Sequence, residues 1–219
     1  MINDLTGFGR CSLTVSLPII SAMKVQCCPV PTSIFSNHTA YASWFFDDFT
    51  DRMQPYIDEW KKLQLSFDGI STGFLGSEEQ IQIVLRFLDD FAAVEAGGVG
   101  DAVMGEDGKP YSTYTAEMCA QMKQLAMRAD ILTPNLTEAC ILTGREYHEG
   151  RWKTEQVISL AEELAQLGPE KVVITGIPQG EFIANLCYEK RMSCSVEDAA
   201  VTRMGLACAA TGWCASGRP

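Results

Sequence analysis

Histidine is scarce in this chain: His38 and His148 are the only two among 219 residues. Nine cysteines are present, but no two have the Cys-x-x-Cys spacing. A zinc site of the usual paired kind therefore has little to be built from. The cysteine count is odd, and Asp4 and Arg10 interrupt any early apolar run, so neither a disulfide scaffold nor a leader peptide is expected. Reduced, mostly buried thiols in a cytoplasmic protein are the expectation. No apolar stretch reaches the ~20 uninterrupted residues of a membrane span. The longest candidate, residues 13–30, is broken by Pro18, Lys24, Gln26 and Pro29. Basic residues are outnumbered, 17 Lys and Arg against 28 Asp and Glu, giving a formal net charge of −11. That balance argues against nucleic acid or an anionic membrane as a partner, because both select basic surfaces. There is no internal repeat, linker or low-complexity tract. At 47% hydrophobic, residues 1–219 read as one α/β domain.

Apolar residues Leu13, Leu17, Ile20 and Met23 recur at helical spacing over residues 11–23, and residues 24–29 read as a short strand ended by proline. Residues 35–41 (FSNHTAY) are polar and turn-like. A helix is predicted over residues 50–65, with Tyr56, Ile57, Trp60 and Leu63 on its apolar face. Residues 68–76 (DGISTGFLG) suggest a buried strand running into a glycine loop. Ser77 can cap the next helix, Glu78–Phe91, with Gln80 at the capping-box position. Residues 97–105 (GGVGDAVMG) give a weak strand and a loop, followed by a helix over 115–128 and a strand over 130–133. Asn135 opens another helix and residues 154–167 form one more. Residues 171–176 (KVVITG) are the clearest strand, followed by a turn at 178–180 and a second hairpin strand over 181–188. Strands alternating with helices imply a mostly parallel sheet covered on both faces, with ligands beyond the carboxyl ends of the strands.

Three segments carry chemistry, each with a plainer structural alternative. In DILTPNLTEACILTG, Asn135 and Glu138 stand at a helix start, where both are good capping residues. They also suit a hydrated Mg²⁺, which keeps several waters and needs few direct protein oxygens. Asp101 and Glu106, in DAVMGEDG, are paired carboxylates of the kind phosphoryl transfer uses to position metal and phosphate. A solvated acidic turn is the alternative, favoured by the Asp107-Gly108 turn dipeptide. Ser36-Asn37-His38-Thr39 could read a small polar heterocycle or satisfy its own backbone. The DLTGFGRCS segment has the look of a strand-to-helix ligand loop, although Gly7-x-Gly9 lacks the third glycine of a dinucleotide fingerprint.

Taken in order, INDLTGFGRCSL, SIFSNHTAY, STGFLGSEEQ, GDAVMGEDGKPYSTYT, ADILTPNLTEACILTG and VVITGIPQGEFIANLCYE resemble the bacterial pyridoxal/pyridoxamine kinases of the ribokinase superfamily. The resemblance implies a ribokinase-like three-layer α/β/α fold with a mostly parallel central sheet. It also implies transfer of the γ-phosphoryl of ATP, with Mg²⁺, to the 5′-hydroxymethyl of a B6 vitamer. By that resemblance Asp4 and Thr39 contact the vitamer. Asp101, Glu106 and Tyr111 lie near the Mg·ATP phosphates, Tyr111 on a flap. Asn135 and Glu138 match the magnesium-organising Asn-x-x-Glu motif, and Thr175 with Gly176 lies under the nucleotide. A homodimer is suggested on the same ground.

Two departures accompany the resemblance. Ala102 replaces the usual proline of the DPVMG loop. From about residue 190 the text no longer resembles the family, so the domain is expected to be incomplete at its C-terminal side. Trp213 stands near the place of the aspartate base in the family's Gly-Thr-Gly-Asp motif, and indole cannot accept a proton as a base. The resemblance therefore implies a kinase with weak or no turnover. Its alternatives are a non-catalytic B6-binding remnant and a kinase for another small alcohol, such as a hydroxymethylpyrimidine.

Overall fold

The computed structural model describes residues 1–111, 114–190 and 202–203. The chain packs as two compact units, which part between Ala96 and Gly97.

The first unit comprises β1 (Ile2–Phe8), α1 (Leu13–Ala22), β2 (Val30–Asn37), β3 (Phe46–Asp48), α2 (Thr50–Lys62), β4 (Phe67–Thr72) and α3 (Glu78–Phe91). Its strands lie in the order β4-β1-β2-β3, the first three parallel and β3 antiparallel at the edge. Helix α3 has the predicted bounds, because Ile81, Val84, Phe87 and Phe91 place one apolar face inward at helical spacing. Gln80 does not close the expected capping box. Its amide oxygen accepts from Gly76 N at 2.8 Å, and its Nε2 donates to Thr32 O and Thr50 Oγ1, both at 2.8 Å. A fully buried glutamine thus joins α3 to β2 and α2 with its polar atoms satisfied.

Three expectations need correction here. Residues 24–29 form no strand: α1 ends at Ala22, Lys24 takes a φ of 64°, and Pro29 has no N–H for a ladder. The strand begins at Val30 and runs through Asn37, taking in the first three residues of the segment read as a turn, while Thr39 and Ala40 do form a turn. Pairing with β1 on one side and β3 on the other satisfies its backbone, which outweighs its polar side chains. On α2 the buried residues are Met53 and Ile57, while Leu63 is 68% exposed just past the helix end. Trp60 instead joins Phe67, Phe87 and Phe91 in an aromatic cluster with centroids 4.5–6.4 Å apart.

Strand β5 (Ala92–Gly100) leads into the second unit, which continues with β6 (Gly105–Glu106), β7 (Lys109–Pro110), α4 (Ala116–Ala126), β8 (Ile131–Leu132) and α5 (Leu136–Thr143). It is completed by α6 (Thr154–Leu167), β9 (Lys171–Gln179), β10 (Phe182–Glu189) and β11 (Thr202–Arg203). Strands β5, β8 and β9 are parallel neighbours in that order, and β10 returns antiparallel to β9. The β9–β10 turn is Gly180-Glu181, with Gly180 at φ 66°, so Pro178 lies within the strand opposite Ile183. Leu132, Leu142, Leu160, Leu164, Val172 and Ile174 form the interior, each at most 1% exposed. Side chains of this kind contribute ~1.5–3 kcal/mol apiece on burial.

The class is α/β with mostly parallel pairing at the middle of each sheet region. Among the described cysteines Cys11 and Cys140 are buried, Cys27, Cys28 and Cys119 are half-buried and Cys187 is exposed, fewer buried thiols than expected. No described helix is long and apolar enough to cross a membrane.

Candidate active site

Polar and acidic residues of the second unit collect at the carboxyl ends of β5, β8 and β9. Thr133 N donates to Gly100 O at 3.1 Å, and Thr175 N donates to Pro134 O at 2.9 Å. Asn135 and Thr175 form an isolated parallel bridge, so the start of α5 lies beside β9. This is where open α/β sheets place their ligands.

The α5 N-terminus realises the capping reading in full. Asn135 Oδ1 accepts from Glu138 N at 2.9 Å, and Glu138 Oε2 accepts from Asn135 N at 2.8 Å. Three further bonds make the cap part of a larger cradle. Glu138 Oε1 accepts from Met104 N at 3.1 Å, with Gly105 N also donating to the carboxylate, and Asn135 Nδ2 donates to Gly105 O at 2.9 Å. The acidic loop after β5 is thereby fastened to the helix start. A carboxylate offers about four acceptor sites. Three backbone amides leave Glu138 with capacity for one more donor.

Glu106 sits on a hairpin the sequence had suggested only as a loop. Asp107 and Gly108 take φ values of 50° and 77°, the two-residue turn that suits a tight β6–β7 hairpin. Gly108 N donates to Thr137 Oγ1 at 2.9 Å, a second tie between hairpin and α5. Thr137 was not singled out from the sequence, although its place in the first turn of α5 could have drawn attention to it. Tyr111 follows β7 with its N–H on Met104 O at 2.9 Å and its ring 6.4 Å from that of Tyr114.

The electrostatics of this cluster are dominated by carboxylates out of water. Burial, then the charge of Asp101, pushes Glu138 well above the usual carboxylate range. Burial raises Asp101 as well. Burial and the neighbouring Asp107 push Glu106 up to about 7. Burial with the surrounding acids, Glu138 foremost, raises the Tyr111 phenol. Each shift marks a group whose charged form is penalised by burial, with nearby like charges adding to it for Glu138, Glu106 and Tyr111. A divalent cation fits such a set, because it would supply a compensating charge. Thr133 Oγ1, buried at the same strand end with no hydrogen-bond partner among the described residues, leaves a further polar atom to satisfy. Among the described residues no three His, Cys, Asp or Glu side chains converge on one metal position. Magnesium here would rely on few protein oxygens and its own waters. Gly176 takes φ 69°, and nothing lies within 4 Å of where a Cβ would stand, so β9 is open at this point.

In the first unit Asp4 lies within β1, not in the loop that the sequence suggested, because the motif pairs with β2 through Phe8. Its carboxylate is 5% exposed and accepts from Thr6 Oγ1 at 2.6 Å. Burial raises its pKa against the hydroxyls of Thr6 and Ser12 and the more distant His38. His38 packs against the bare α-carbon of Gly9, where a Cβ would come within 2.6 Å of its own. His38 N donates to Phe8 O at 2.8 Å, and its Nδ1 accepts from Ala40 N at 3.0 Å. The plain reading of His38 as a loop-fastening residue is therefore met, while Thr39 beside it is exposed. Within the second unit the structure brings Asp101, Glu106, Asn135, Glu138 and Thr175 into one cluster, and within the first unit it sets Asp4 near His38. Trp213 lies outside the described residues.

An α/β sheet with an acidic, amide-bound loop at its strand ends defines the class of α/β proteins that place ligands at the carboxyl ends of parallel strands. The phosphomethylpyrimidine kinase family model matches residues 17–216, and the chain belongs to that family. Pyridoxal kinase PdxY of Pseudomonas putida is 28% identical over 172 residues, covering 76% of this chain and 58% of its own. The pyridoxal kinase of Sus scrofa is 31% identical over 149 residues, covering 64% of this chain and 45% of its own. The chain thus spans about half the length of these curated relatives. Among solved structures, a Bacteroides thetaiotaomicron protein assigned as a phosphomethylpyrimidine kinase and crystallised with pyridoxal is 41% identical. It has a TM-score of 0.82 and covers 87% of this chain and 67% of its own. Pyridoxal kinase from Lactobacillus plantarum is 26% identical, with a TM-score of 0.79, covering 92% and 70%. These likenesses agree with the ribokinase-like α/β expectation.

Proposed function

We propose that the chain is an ATP-dependent kinase of vitamin B6, which transfers the γ-phosphoryl group to the 5′-hydroxymethyl oxygen of pyridoxal, pyridoxamine or pyridoxine. The observation that carries this reading is the α5 cradle, where Glu138, Asp101 and Glu106 gather at strand ends with carboxyls pushed toward protonation. Such a cluster suits a cation-bearing polyphosphate better than a neutral ligand. Asn135 and Glu138 would hold Mg²⁺ through its water shell, with Asp101, Glu106 and Tyr111 around the phosphates and Thr175 and Gly176 under the nucleotide. When bound, Mg²⁺ neutralises charge on the transferring group. Asp4 and Thr39 would read the vitamer ring. Pyridoxal kinases among the relatives, and the Bacteroides protein crystallised with pyridoxal, support that choice of substrate. A cytoplasmic setting and a homodimer belong to the same reading.

The attacking hydroxyl must lose its proton, and the resemblance puts Trp213 where the family has its base. Loss of a general base typically costs ~10²–10⁴ in rate, so slow turnover is expected. Calorimetric titration tests the reading apart from turnover. Pyridoxal and Mg·ATP should each bind, and Asp4→Asn should weaken pyridoxal alone. Failure of Mg·ATP to bind, alone or together with pyridoxal, would refute the assignment. The family name favours a second reading, phosphorylation of a hydroxymethylpyrimidine. Tighter binding of that pyrimidine than of pyridoxal would select it.

A further inference from the structure

The β6–β7 hairpin owes its place to a residue outside every motif above. At its tip, Gly108 presents a bare α-carbon to the ring of Tyr147: a Cβ there would come within 2.3 Å of Tyr147 Cδ1 and 2.9 Å of Cε1. Tyr147 lies in the segment between α5 and α6 and is half-buried. Its other neighbour is Trp152, 6.1 Å away between ring centroids and 3% exposed, so the ring is backed by a fixed surface. Asp107 and Glu106 are among the charges that raise the Tyr147 phenol, after burial, which places it beside the acidic part of the hairpin. Gly108 N also donates to Thr137 Oγ1 at 2.9 Å. The hairpin is thus held at one residue by both a ring contact and a hydroxyl.

We propose that Tyr147 is a positioning residue for the metal and phosphate cluster, acting with Thr137 through Gly108. This rests on the kinase reading of that cluster. The hairpin has only two residues in each strand, too few for a ladder to fix it alone. It carries Glu106, and its first residue, Gly105, bonds to both Asn135 and Glu138. Loosening the tip would therefore let Glu106 wander and weaken the amide contacts that orient Glu138. The contribution of Tyr147 is its ring face against Gly108, so phenylalanine should serve as well as tyrosine and a small side chain should not.

The test compares Tyr147→Ala, Tyr147→Phe and Thr137→Val for binding of Mg·ATP and of pyridoxal, and for hydrogen exchange at the amides of residues 105–108 without ligand. Partners that orient a metal site typically contribute 10–100-fold to its affinity, so Tyr147→Ala should weaken Mg·ATP ~10-fold. It should also speed exchange in the hairpin while leaving pyridoxal affinity unchanged, and Tyr147→Phe should match the parent. Thr137→Val should reproduce the alanine pattern more mildly. If Tyr147→Ala unfolds, Tyr147→Leu gives the same comparison. Unchanged hairpin exchange in Tyr147→Ala would overturn the proposal, as would equal loss of both ligands or failure of Tyr147→Phe to restore binding. If the parent binds no Mg·ATP, the kinase reading fails, and the exchange comparison alone then decides whether Tyr147 holds the hairpin.

Discussion

Glu138 is asked to cap a helix, orient a loop and face Asp101 from within the protein. Replacing it by alanine leaves the Asn135, Met104 and Gly105 amides without their acceptor. Lost caps and unsatisfied buried donors each cost ~1–2 kcal/mol, so Glu138→Ala should destabilise by about 2–3 kcal/mol in urea melts. Glu106 gives a pH signature. Its carboxyl is pushed up to about 7 from an ordinary 4.5, so between those values the folded chain keeps a proton that the unfolded chain has released. Raising the pH through this window removes that advantage, and stability without ligand should fall. Asp101, Glu138 and Asp4 are raised too and add to the same fall, so Glu106→Gln should make the slope shallower without abolishing it when urea midpoints are compared from pH 4.5 to 8. Stability that rises over this window in the parent, or an equal slope in the variant, would contradict the assignment of that shift.

At the scale of elements, two of the glycines with positive φ, Gly176 and Gly9, separate backbone strain from contact. Gly176→Ala meets no neighbour within 4 Å, so only the left-handed backbone opposes it, at ~1–2 kcal/mol. Gly9→Ala adds a clash with His38 and should also weaken pyridoxal binding while sparing Mg·ATP. Calorimetry and thermal melts on the two variants check this contrast. Helices α3 and α6 were legible because each combines an unbroken apolar stripe with polar punctuation, and both form with the expected bounds. Strand β2 was not, since Ser36 and Asn37 read as part of the turn that follows until pairing on both sides overrides them. The β6–β7 hairpin was visible only as its Asp107-Gly108 turn, its strands being too short to show a period. Asn135 and Glu138 could be read as a pair at three-residue spacing. The ties through Met104, Thr137 and Gly108 could not, because they join residues about 30 apart through backbone atoms.

For the whole molecule, family membership and the α/β fold narrow where ligands are to be sought, and the proposed chemistry rests on the named side chains. Stability rests on separate cores. Phe87, 3% exposed among Trp60, Phe67 and Phe91, anchors the first, and Phe87→Ala should cost ~3–5 kcal/mol in urea melts. The central claim is phosphorylation of a B6 vitamer, and transfer of label from [γ-³²P]ATP measures it at rates too slow for a coupled assay. With Mg²⁺ present, label should enter pyridoxal slowly, enter a hydroxymethylpyrimidine far less, and vanish when Mg²⁺ is chelated. Label entering the pyrimidine in preference, or no label in pyridoxal at any enzyme concentration, would contradict it.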